Sequence, residues 1–161
     1  MEPLLKSYKK SLSVIKSEIA SIYLRYTVDG KLKIGKQQRY TVLKQLENQL
    51  VKQAQELGKT EIKVTSKILS DVFQESYYKT AYTIEKGIEM EINFAILKPE
   101  FVKAAVNIPI EKQMFSDRIW TNKTKLVNRV RQDVEKAMIQ GKSPEKLARE
   151  IKNQFGVTAY E

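Results

Sequence analysis

With 161 residues, 42% of them hydrophobic and 30% charged, the chain has enough apolar material for a packed core, and only 6 Gly and 4 Pro favour long helices over a loop-rich or all-β fold. A net charge of +10 attracts polyanions: DNA, RNA, anionic lipid or an acidic protein surface. Cysteine and histidine are both absent, which excludes disulfides, a thiolate nucleophile and Ser-His or Cys-His pairs, and removes the usual base at neutral pH.

In chain order, Leu5, Tyr8, Leu12, Ile15, Ile19, Ile22 and Tyr26 recur at alternating steps of three and four. That spacing predicts a first helix with a single apolar seam, which closes either within the chain or between chains. Lys6, Lys9, Lys10 and Lys16 lie off the seam. Asp29-Gly30 breaks the helix, and Lys31 to Gly35 reads as a short connector carrying Lys31 and Lys33. A second helix is expected from Lys36 to Leu57, with Tyr40, Leu43, Leu46, Leu50, Ala54 and Leu57 on one stripe and Gly58 as its stop. Two long amphipathic helices with a short connector predict an antiparallel hairpin.

A third helix from Glu61 to Lys86 presents Ile68, Leu69, Val72, Phe73, Tyr77, Ala81 and Ile84 on its apolar side, while Tyr78 and Tyr82 share another face beside Lys79 and Lys86. Between Gly87 and Leu97, Ile88, Met90, Ile92 and Phe94 alternate with Glu89, Glu91 and Asn93, the pattern of a half-buried extended segment. Pro99 opens a short helix through Val106, and Pro109 ends that piece. Ser116 reads as the N-cap, and Asp117 as a first-turn acid, of a helix to about Gln140. Its apolar line is Ile119, Trp120, Leu126 or Val127, Val130, Val134, Ala137 and Met138, and Gly141 closes it. Ser143-Pro144-Glu145 starts another helix, striped by Leu147, Ala148, Ile151 and Phe155 and stopped at Gly156. Thr158 looks like the cap of a further helix, so the natural polypeptide is expected to continue.

The fold expected is mainly α: an elongated N-terminal αα-hairpin plus a helical bundle, with a short irregular or extended segment in the middle. The organisation expected is a hairpin and third helix over 1–87 and a second helical region over 88–161, truncated at its end. No apolar run approaches the roughly 20 residues needed to span a bilayer, so no membrane is expected as partner.

The segment Phe115-Ser116-Asp117-Arg118-Ile119-Trp120, followed by Leu126, Val130, Val134, Gly141-Lys142-Ser143-Pro144, Leu147-Ala148 and Ile151, resembles the minor head proteins of tailed phages. This is the head-morphogenesis family related to the F protein of phage Mu. Tyr26 to Gly30 and the tyrosine-rich Glu75 to Tyr82 are similar to it as well. In the family a threonine-glutamate element follows, and this sequence stops short of it. The residues offer no candidate nucleophile, base or metal site, so no enzyme activity, cofactor or metal is expected; the resemblance implies a protein present in few copies per head. Such a protein would associate with the portal and with packaged double-stranded DNA and other capsid proteins, in the virion or in host cytoplasm during assembly. Some members carry toxin-like domains downstream, so a toxin scaffold is one rival reading; a stand-alone basic nucleic-acid-binding protein is another.

Candidate contacts with DNA phosphates are Lys6, Lys9, Lys10, Lys16, Lys31, Lys33, Lys36 and Arg39, the last four near the hairpin tip. Trp120 reads as a core anchor or portal contact, and Arg118 as a clamp or partner contact. Tyr78 and Tyr82 with Lys79 and Lys86 are weighed as a base-stacking platform against a tyrosine-edged helical core. Glu89 and Glu91 share one side of the extended segment and form no acid/base pair.

Overall fold

The computed structural model describes residues 2–88 and 95–160, and the alternating segment around Glu89 to Phe94 lies outside them. Among the described residues there are five helices: α1 (Glu2–Tyr26), α2 (Lys36–Ile88), α3 (Pro99–Val106), α4 (Phe115–Gln140) and α5 (Pro144–Tyr160). A short β-ladder, β1 (Thr27–Val28) with β2 (Lys31–Leu32), joins α1 to α2. The helical class and the N-terminal helix pair are as the sequence predicts.

The connector, expected as a helix break at Asp29-Gly30 and a short link to Gly35, contains a β-hairpin. Asp29 and Gly30 both take positive φ, 50° and 71°, the pair of left-handed residues a two-residue hairpin turn demands. Thr27 faces Leu32 and Val28 faces Lys31 across the antiparallel ladder. Leu32 and Ile34 are buried, so the turn is tied to the core.

The chain forms two compact units: residues 1–60 with 119–161, and residues 61–118. The division falls inside α2 and α4. In the first unit Ile15, Leu46, Leu57, Val130, Val134, Leu147 and Ile151 are essentially inaccessible, so α1, the start of α2, most of α4 and α5 close around one core. Each such aliphatic side chain contributes about 1.5–3 kcal/mol by burial. In the second unit, Ala81 and Val102 are the buried hydrophobic residues among those described. Ile68, Leu69, Val72, Phe73 and Ile84, expected as the buried side of a third helix, are exposed.

Four helix boundaries differ from expectation. Gly58 does not stop a helix; it lies buried inside the continuous α2. A Cβ at Gly58 would sit 2.5 Å from Trp120 Cζ3 and 2.8 Å from Cη2, so the glycine is the gap through which the indole approaches the backbone. Ser116 lies inside α4, which begins at Phe115. The cap comes from Asp117, whose carboxylate accepts the Met114 N–H at 3.1 Å, the reciprocal half of a capping box. Gly156 does not end α5, and Thr158 caps no new helix: it is buried within α5 and donates to the Gln154 carbonyl at 2.9 Å.

Other punctuation holds. Gly141 takes φ 62° and the Lys142 N–H reaches back to the Ala137 carbonyl at 3.1 Å, a Schellman end for α4. Ser143 Oγ accepts the Lys146 N–H at 3.5 Å ahead of Pro144. α3 spans Pro99–Val106 as its proline predicts.

Candidate nucleic-acid interface

Charge separates between the units. The first holds 21 of the 29 basic and 10 of the 19 acidic residues, a net +11; the second holds 8 basic and 9 acidic, a net −1. The polyanion-attracting surface therefore belongs to the first unit.

On α1, helical geometry at about 100° per residue puts Lys6, Lys9, Lys10 and Lys16 within one arc of about 120°. That arc lies opposite the buried Tyr8, Ile15, Ile19 and Ile22. All four lysines are exposed. Lys6 is 2.8 Å from Glu2, a pairing across the surface that water weakens. At the tip, exposed Lys33 lies 3.9 Å from Asp29, while Lys31 is placed by its backbone in β2 and its side chain lies outside the described residues. Lys36 and Arg39 sit in the first turn of α2. The structure thus spreads these eight residues over two places, the outer face of α1 and the tip with the start of α2.

Three residues not singled out by the sequence join Lys36 and Arg39. Tyr40, expected on the core stripe, is 68% exposed. With Lys44 on α2 and Arg131 on α4 it lines a groove of about 440 Å³ within the first unit. Arg131 Nε lies 3.3 Å from Glu47 Oε2, and Lys44 Nζ is 5.8 Å from the centre of the Tyr40 ring. The heptad pattern could not separate Tyr40 from the stripe, because it lies on the correct face but in the helix's open first turn.

The motif residues divide between the units. Trp120 is 37% exposed, with its benzo edge on Gly58 and its other side on a groove shared with Val51, Gln55 and Lys123. Ile119 is buried. In the second unit Phe115 and Arg118 line an apolar groove of about 450 Å³ with Leu69, Val72, Phe73 and Ile110. Arg118 Nη2 donates to the Ile110 carbonyl at 2.9 Å and lies 3.7 Å from Glu111, clamping a tight reversal. In that reversal Ile110 and Gln113 exchange both backbone hydrogen bonds, and Glu111 and Lys112 take φ 53° and 65° without being glycine.

Tyr77 and Tyr78 are committed to holding the chain around 95–97. Tyr77 donates to the Ala95 carbonyl at 3.0 Å, and Tyr78 accepts the Leu97 N–H at 3.2 Å. Tyr82 is exposed with Lys86 Nζ 5.5 Å from its ring centre.

Lys123 is the functional-looking residue whose burial no sequence pattern announces. It is 2% exposed, donates to the Tyr8 hydroxyl and lies 4.8 Å from the centre of that ring. Tyr8 in turn donates to the Thr158 carbonyl at 3.4 Å. The arrangement ties α1, α4 and the end of α5 together. Tyr23 makes a similar tie by donating to the Lys142 carbonyl at 2.7 Å. Burial, with the Glu145 and then the Glu150 carboxylate adding to it, holds the Tyr23 hydroxyl above its usual pKa.

Among the described residues no group of three or more acidic side chains is placed to hold a metal ion, and no helix is long and apolar enough to cross a membrane. Comparison with protein-family models, with curated proteins and with solved structures finds no match.

Proposed function

We propose that the chain is a minor head protein of a tailed phage: a non-catalytic, portal-associated assembly or genome-delivery factor that contacts packaged DNA through its basic unit. The observation that carries the DNA contact is the charge segregation, net +11 in the first unit against −1 in the second. Sequence-independent attachment to phosphates needs such a surface and no more. The portal assignment rests on the resemblance of Phe115–Trp120 and Gly141–Pro144 to the head-morphogenesis family. A second support is the apolar groove beside Phe115 and Arg118, which leaves hydrophobic surface open in the unit that carries no excess charge.

The test is co-purification of the chain with the portal protein of the same phage or prophage, at low and at high salt. A complex that survives high salt assigns the contact to apolar surface, with the groove of the second unit as first choice. A complex that dissociates at high salt assigns it to the basic unit. Absence of a complex at both salts overturns the assembly reading and favours a stand-alone nucleic-acid-binding protein, for which the same charge segregation is the supporting observation.

A further inference from the structure

We infer that the groove between the first turns of α2 and the second half of α4 is the seat for a phosphodiester backbone, with Lys36, Arg39, Lys44 and Arg131 as its cations and Tyr40 as the ring against which a sugar packs. The inference rests on the DNA-contact reading above and names the surface that makes the contact. Three observations carry it.

First, the groove gathers four cationic side chains against two carboxylates, Glu47 and Glu135, and Glu47 is already engaged by Arg131 at 3.3 Å. Second, the cations oppose the helix they sit on. The first turn of α2 contains no acidic residue and carries Lys36 and Arg39 at the positive end of the macrodipole, where acids are favoured. Gly35 precedes it and has no side chain with which to cap. A bound phosphate relieves both defects at once. Third, Arg39 Nε is buried with no hydrogen-bond acceptor, while Nη2 makes only a long bond of 3.4 Å to the Ile34 carbonyl. The guanidinium of this half-buried arginine thus keeps hydrogen-bonding capacity that a phosphate oxygen in the groove can take up.

Tyr40 distinguishes this place from the outer face of α1. A basic surface alone attracts any anion, whereas an exposed aromatic ring set among cations offers the sugar edge of a backbone an apolar face with a polar tip to pack on. Among the described side chains of α1, by contrast, Tyr8 and Tyr23 are buried and Tyr26 is partly buried against the core.

The experiment is equilibrium binding of the full chain to a short fluorescein-labelled DNA duplex by anisotropy, over a range of salt concentrations. Lys36→Gln with Lys44→Gln removes two groove charges without touching an ion pair found among the described residues. Lys9→Gln with Lys16→Gln removes two from α1 and serves as the equal-charge control. The groove pair is expected to weaken binding about tenfold at low salt and to reduce the slope of log K against log salt by about two, roughly 0.9 for each phosphate left without its cation. The control pair is expected to leave the slope within about half a unit of the parent. Tyr40→Ala is expected to weaken binding without lowering the thermal midpoint, because its side chain is exposed and outside the core. Equal weakening by the groove and control pairs overturns the assignment in favour of diffuse attraction. Titration with inorganic phosphate that shows binding, beside a duplex that does not bind, overturns it in favour of a free-anion site. Groove-dependent DNA binding without portal capture leaves the site standing and the assembly reading refuted; portal capture without DNA binding does the reverse.

Discussion

Replacing Gly58 by alanine tests the packing of the first unit through a change of sign. In an unobstructed helix interior, Gly→Ala stabilises by about 0.8–1 kcal/mol, because glycine gives up more backbone freedom on folding. At Gly58 the added methyl would lie 2.5, 2.8 and 3.0 Å from Trp120 Cζ3, Cη2 and Cε3. Ordinary contact needs about 3.5–4.0 Å, so a rigid ring edge must retreat by an ångström or more. Overpacking of this size costs about 1–3 kcal/mol. The single substitution is therefore expected to destabilise by about 1 kcal/mol, once the helix-propensity gain of about 1 is offset. In a Trp120→Ala background the obstruction is gone, and Gly58→Ala should stabilise by about 1 kcal/mol. The coupling between the two sites is then about 2 kcal/mol. Urea unfolding followed by far-ultraviolet circular dichroism measures all four corners of the cycle. Since Trp120 is the sole tryptophan, its emission in Gly58→Ala should shift to longer wavelength as the ring moves into water. Stabilisation by Gly58→Ala in the parent chain, or additive changes in the cycle, would refute the close approach.

Tyr8→Phe keeps the ring beneath Lys123 but removes its hydroxyl bridge to Thr158, and should destabilise the first unit by about 1–3 kcal/mol in urea unfolding. Because the pKa of Tyr23 is raised on folding, the unfolded chain loses that proton first as pH rises above about 10. Its contribution is complete below the unfolded pKa and is lost as pH climbs through the folded value, so Tyr23→Phe should show a shallower fall of stability in that window. At the reversal in the second unit, Lys112→Gly should raise the thermal midpoint slightly, since a left-handed residue with a side chain costs about 1–2 kcal/mol and glycine returns most of that. Native-state hydrogen exchange should run faster over residues 61–118 than over the α1, α4 and α5 core, because Ala81 and Val102 are the buried hydrophobic residues described there.

The helices are legible where apolar spacing and end signals agree. Of the predicted seam, Tyr8, Ile15, Ile19 and Ile22 are buried and Leu12 and Tyr26 partly so, while Leu5 in the first turns is exposed; Pro99, Gly141 and Ser143-Pro144 mark ends by local chemistry alone. Gly58 misleads because a C-terminal stop and a close-packing gap look identical in sequence; what separates them is an indole 62 positions away. Asp29-Gly30 reads as a break although an Asp-Gly pair is also a strong hairpin signal, and the flanking Thr27-Val28 and Lys31-Leu32 supply the strands. The apolar row from Ile68 to Ile84 has helical spacing, but periodicity reports a face and not whether anything covers it. The candidate groove is half legible: Lys36 and Arg39 stand out as charges near a turn. Arg131 is brought to them only by the packing of α4 on α2, and Tyr40 is exposed because the helix has just begun.

A role in head assembly is decided by purifying particles from a phage that encodes this chain and quantifying it against the portal protein by mass spectrometry. A chain that acts in head assembly co-purifies with DNA-filled heads in a low, fixed ratio to the portal and stays with them through a density gradient. Its absence from filled heads and from assembly intermediates alike would contradict the assignment to head assembly.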